Sequence, residues 1–214
     1  MKNITVISLI LIFSFVQFIA AQTTSKNDIL TKQDKSIHLE SGINLSLPVH
    51  TMMYRTHRLA IGINVRAWKK ISPKWDLGIK ADYDYRFIKK KSQETAESME
   101  LSNELLIKGL YRNFSLISIK PNIQFNSNSN WFWGAESGLG YAISDADSRI
   151  GMGFVHEYDG PQQFGLCSGL YFGKCFIIGP TKKKLSLSMD LTQFLAHWHA
   201  ENSLGLTFKY SLIN

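Results

Sequence analysis

The residues best equipped for chemistry lie near the C-terminal end, in the run His197, Trp198, His199, Ala200, Glu201, Asn202 and Ser203. An imidazole can take the proton of a serine hydroxyl and a carboxylate can orient the imidazole, which is the minimum apparatus of a hydrolase. The same histidines allow a second chemistry. On an extended segment the middle residue of His-x-His turns away, both rings face one side, and imidazole is a common ligand for zinc, copper and nickel. His50 and His57 flank an early connection that becomes a neighbour of this run if the last strand pairs with the first, so His50, His57, His197 and His199 are the candidate metal ligands. Neither set is complete. Nothing in the spacing fixes the approach of Ser203 to His197, Glu201 is the one nearby acid, and no Cys-x-x-Cys pattern accompanies them. The expectation is a protein with no catalytic set, no resident metal and no cofactor.

What must position these residues is extended chain. From Lys74 to Phe87 the residues Trp75, Leu77, Ile79, Ala81, Tyr83, Tyr85 and Phe87 alternate strictly with Lys74, Asp76, Gly78, Lys80, Asp82, Asp84 and Arg86, which is the two-residue period of a β-strand. An ordinary strand needs only about 5 to 6 residues. A longer one, apolar on one face and charged on the other, suits a position between hydrocarbon and a wet lumen. The same grammar predicts strands over 36–47, 57–68, 99–111, 114–125, 131–143, 150–157, 163–172, 184–194 and 203–212. The expected fold is therefore all-β, an antiparallel up-and-down transmembrane β-barrel of ten strands. Eight is the alternative: 150–157 is short, and since single-chain bacterial barrels have even strand counts, its loss would remove a second strand. The longer or more polar connections, 48–56, 88–98, 126–130, 158–162 and 195–202, are expected together at one end. Pro121 is a blemish, because proline cannot donate to a ladder.

At the N-terminus Lys2 precedes an apolar run from Ile4 to Phe18 and the small residues Ala20 and Ala21. This predicts a signal peptide over 1–21, followed by a polar periplasmic tether over 22–35 and the barrel over 36–212. No internal run approaches the roughly 20 apolar residues of a membrane helix. The net charge is +7, yet the bases are spread among strands and the export signal argues against nucleic acid as a partner. Lys89, Lys90 and Lys91, and Lys182, Lys183 and Lys184, fall in loops, where they are solvated or meet lipid phosphates. Trp68, Trp75, Tyr85, Phe87, Tyr111, Phe114, Trp131 and Trp133 gather near strand ends, as interface girdles do. A soluble ligand-carrying barrel would share the alternation with its apolar face turned inward; the girdles and the mixed-sign polar faces favour the membrane.

The inner face is expected to carry Glu40, Asp76, Asp82, Asp84, Glu100, Glu104, Glu136 and Asp190 against Arg58, Arg66, Lys80, Arg86, Lys108, Lys120 and Lys209. An ion-selective pore shows a ring of one sign. A balanced set in a barrel of about 8 strands pairs across the lumen and fills it, so no wide pore is expected. Cys167 and Cys175 have the same parity; within one strand they would lie about 26 Å apart at 3.3 Å per residue, beyond disulfide reach. A bridge would need a turn near Gly173, and two free thiols are expected.

The exported N-terminus ending Ala20, Ala21, Gln22, the alternating strands with frequent lumenal glycine, and the closing run from Leu204 to Tyr210 together resemble the small outer-membrane β-barrel proteins of the Bacteroidota. That resemblance implies a bacterial outer-membrane location, contact with outer-membrane lipid, a monomeric barrel, and a role as an envelope-structural, surface-interaction or assembly component with an envelope protein partner. The alternatives are a lipid-modifying enzyme resembling the lipid-A deacylases, which would use His197 and Ser203, and a narrow solute channel.

Overall fold

Strand periodicity closes into a ring. The computed structural model describes residues 36–49, 51–90, 112–145, 161–178, 183–196 and 199–213. They form β1 (His38–Pro48), a short helix α1 (Thr51–Thr56), β2 (His57–Ser72), β3 (Trp75–Ile88), β4 (Phe114–Asn126), β5 (Trp131–Ser144), β6 (Gln162–Ile178), β7 (Lys183–Ala196) and β8 (His199–Ile213). Each strand pairs antiparallel with its sequence neighbours, and β8 returns to β1. The register, followed from Trp75 through Phe125, Trp133, Phe172, Met189, Leu206, Leu45 and Ile61, comes back to β3 at Tyr85, ten residues beyond its start. Such a stagger requires strands tilted by roughly 35–45° to the axis.

The ring has eight strands, not ten. β3 is bonded to β2 and β4, and β5 to β4 and β6, so every edge is occupied and no place remains for 99–111 or 150–157. Those two stretches, like the segments 1–21 and 22–35 expected to be a signal peptide and a tether, lie outside the described residues. In 99–111 the apolar parity skips Asn103 and Gly109, which is the flaw that distinguishes it from β3. With eight strands, β4 and β5 run opposite to the direction a ten-stranded ring would give them. The connection 126–130 thus moves from the long-loop end to the end where β2 turns into β3 at 73–74 and where Ile178 of β6 pairs with Lys183 of β7. Asn130 takes a φ of 65° there, a left-handed conformation that asparagine tolerates.

The faces follow the alternation with one local reversal. Arg58, expected inside, is exposed. The ladder of β2 with β3 shifts between His57 and Ala60, and an extra residue at such a bulge turns the next side chain to the other face. His57 takes the interior place and is fully buried. Trp68 and Phe114, expected in the outer girdles, point into the lumen instead. Pro121 sits on the outside, and the ladder of β4 with β5 omits Lys120 and Pro121 before resuming in register at Asn122.

Burial is inverted relative to a water-soluble fold. Ile79 is 57% exposed while Arg66 is 1% exposed, and the same contrast holds around the ring. The outer surface carries Ile63, Ile119, Leu166 and Met189, whereas Asn64, Lys80, Asp82, Lys120, Glu136 and Asp190 are buried inside. Trp75 and Tyr85 bound this aliphatic belt on β3. Ten residues make about 33 Å along the strand and so about 25 Å along the axis at a ~40° tilt.

Candidate functional site

The lumen is a stack of three side-chain layers, each supplied by inward positions of several strands. At mid-height Lys80 from β3 reaches Asp82 at 3.1 Å and Glu136 of β5 at 3.3 Å. Lys120 from β4 reaches Asp82 at 3.0 Å and also contacts Glu136. Two cations and two carboxylates thus alternate in a neutral quartet with nearly no exposure. That balance matters because an ion taken from water without a partner costs several kcal/mol in a protein interior. Beside the quartet Asp190 accepts from Ser188 at 3.0 Å and from Thr207.

In the layer toward the short turns, Arg66 donates through Nε to Asn122 and through Nη1 to Gln124, each at 2.8 Å, with Glu40 at 3.6 Å. Gln124 passes the chain to Asn126, and Asn126 donates to Asp76 at 2.6 Å. Lys209 lies over the ring of Tyr171 at 5.2 Å, and His38 stacks on Trp68 at 4.1 Å in the mouth. Phe132 fits because Gly173 faces it, where a Cβ would come within 2.5 Å of the ring.

Toward the long connections the chemistry changes. Asn64 donates to Asn44, and Asn44 to Asp84. Arg86 donates through Nη2 to Ser46 at 3.2 Å and Ser203 at 3.0 Å. Above them Met53 of α1 drops into the mouth and packs with Phe114, Ala142, Cys167, Phe194 and Ala196. A cavity of about 60 Å³ remains beneath this plug, lined by Asp84, Arg86, Glu201 and Ser203 among others. It is room for one or two waters.

The structure therefore brings together Arg66, Asp76, Lys80, Asp82, Asp84, Arg86, Lys120, Glu136, Asp190, Lys209 and, at the layer of Arg66, Glu40. Arg58 is outside, and Glu100, Glu104 and Lys108 fall beyond the described residues. So do His50 and His197. His57 has both ring nitrogens engaged, with Thr56 Oγ1 and the Arg112 carbonyl at 2.8 Å each, and among the described residues no group of metal-binding side chains assembles. Ser203 turns into the lumen and accepts from Arg86. Cys167 and Cys175 share β6, which continues through Gly173, and both are free.

Sequence reasoning missed Glu201 as a lumenal carboxylate, the Asn44, Asn64, Asn122 and Gln124 relays, and the plug. Parity puts the relay residues inside, but an uncharged amide gives no sign by which its partner could be read from the sequence. Met52 and Met53, an apolar pair within a polar connection, were the available signal for the plug.

The fold and its inside-out burial define a small β-barrel of transmembrane type. No family model matches the chain, and no curated protein matches it. Among solved structures it is similar to Ail, the attachment invasion locus protein of Yersinia pestis, at 12% identity and TM-score 0.49 over 82% of this chain and 97% of that one. Neisserial surface protein A is similar at 12% identity and TM-score 0.49, covering 81% and 96%. The N-terminal β-barrel domain of Pseudomonas aeruginosa OprF is similar at 8% identity and TM-score 0.44, covering 83% and 98%. These likenesses are of barrel form and assign no role.

Proposed function

We propose that the chain is an integral barrel of the bacterial outer membrane, exported by residues 1–21, that serves the envelope through its outer surface and rims rather than through its interior. The observation that carries this reading is the inverted burial. An aliphatic belt about 25 Å tall is what the hydrocarbon of that membrane takes, and a lumen occupied by a neutral ion quartet is what a barrel of this size does when it conducts nothing large. The finer resemblance to Bacteroidota barrels rests on Ala20, Ala21, Gln22 and the final strand, since the solved structures named above come from other bacteria. An envelope-structural or surface-interaction role fits the plug at the long-loop end, which leaves the connections there free to vary.

Planar-bilayer recording tests the reading. The purified barrel is expected to insert without stable conductance steps of porin size. Large, long-lived steps would mean that the quartet and the plug do not fill the lumen, and the reading would fall.

A further inference from the structure

We infer that the short-turn end of the barrel binds anionic phospholipid headgroups through its outward lysines Lys69, Lys174 and Lys183. The inference rests on the membrane reading above and adds a partner to it. Lys69 is exposed at the foot of β2, one ladder step from Leu77 of the outer belt. The ammonium of Lys174 lies 5.2 Å from the Trp131 ring and 5.9 Å from that of Phe176, and Trp131 stacks in turn on Phe172 at 4.9 Å. Lys183 donates to the Leu212 carbonyl at 3.1 Å.

All three stand where the aliphatic belt meets the rim. An amphipathic lysine there lays its stem along apolar surface and holds its charge at headgroup level. Lys70, Lys74 and Lys184 add charge at the same end. Its acids among the described residues, Glu40 and Asp76, are turned into the lumen and engaged there, so none of those residues places a surface carboxylate against the collar. The opposite end differs: its connections mix signs, with Glu94, Glu97, Asp147, Glu157 and Asp159 among their bases by sequence. A collar of one sign at girdle height is complementary to a layer of phosphates. A lysine near such a surface contributes about 1 kcal/mol, or roughly fivefold in affinity.

The test inserts the full chain into vesicles of phosphatidylcholine and phosphatidylglycerol in equal parts. Flotation and a heat-shifted gel band report insertion, and mass spectrometry measures the lipid retained after gentle detergent extraction. Phosphatidylglycerol is expected to exceed phosphatidylcholine by about fivefold or more at low salt, with the excess fading near 0.5 M salt as screening shortens to a few ångströms (roughly 3–10 Å). Changing Lys69, Lys174 and Lys183 together to Gln should remove most of the excess, leaving only what Lys70, Lys74 and Lys184 supply. The same three changed to Arg, and the Arg58→Gln, Lys89→Gln pair at the other end, should keep the preference. Equal retention of both lipids by the inserted wild type overturns the proposal, as does a preference lost only in the Arg58 and Lys89 variant. A barrel that ignores the lipid but sediments with purified peptidoglycan assigns the lysines to the cell-wall polymer instead. Failure to float removes the membrane reading and this inference with it.

Discussion

At the long-loop end the barrel is stoppered by Met53 of α1 against Phe114 and Phe194, whereas at the short-turn end the mouth holds His38 stacked on Trp68, with Arg66 and Lys184 each within 6 Å of the indole. The difference follows from chain length. A connection such as 49–56 is long enough to fold a helical turn back over the opening, while the turn at 73–74 cannot reach it, so strand side chains must do the filling. The outer rims differ in the same sense. Tyrosine hydroxyls tie the long-loop rim together, Tyr85 to Asp145 at 2.5 Å and Tyr141 to Gln162 at 2.8 Å. The other rim packs Trp75 against Phe125 at 5.2 Å and Trp133 at 5.7 Å. One end is closed by a lid and hydrogen bonds, the other by rings and cations.

The quartet lies between the ends and should carry the largest effect. Glu136→Ala leaves Lys80 and Lys120 sharing Asp82, an unbalanced buried charge worth about 3–5 kcal/mol. Urea unfolding in micelles, followed by circular dichroism, should show that loss; a change below 1 kcal/mol would mean that water, not Glu136, satisfies the lysines.

Met53→Ala sharpens the contrast between the mouths. Removing the plug should cost about 2–4 kcal/mol and open Cys167, beneath it, to a small thiol reagent, while Cys175 near the other mouth keeps its wild-type rate. Equal acceleration at both thiols would show general loosening and break the distinction. A pair of rim variants gives the smallest effects. Trp75→Leu, which removes two ring contacts, should cost about 1–2 kcal/mol, and Tyr85→Phe, which removes the bond to Asp145, about 1 kcal/mol or less. The reverse order, read from the same unfolding curves, would place the firmer rim at the long-loop end.

Much of the barrel was legible because alternation leaves little freedom. The run from Trp75 to Phe87 could face only one way, and its inward Asp76, Lys80, Asp82 and Arg86 were identified with it. Arg58 was misplaced because a bulge is set by pairing across strands, not by the residues of one strand. The surplus strands have a similar cause: 99–111 alternates over part of its length, and only the hydrogen bonding of β3 directly to β4 excludes it from the ring. Pairing partners within the lumen were not legible at all. That Lys80 meets Glu136 rather than Glu40 depends on the stagger of the barrel, which no local pattern encodes.

The seam between β1 and β8 joins the two ends of the described chain, with Gly42 opposite Lys209 and Leu45 opposite Leu206. Loop-closure entropy must be met before such distant contacts form, so the ring is completed last and cannot be completed on a partial chain. Until β8 arrives, β1 presents an unpaired edge with Ile43, Leu45 and Leu47 beside it, the kind of surface that templates aggregation. The edges of β1 and β8 are therefore covered only in the closed ring, and a chain that lacks either strand leaves the other's backbone groups unpaired.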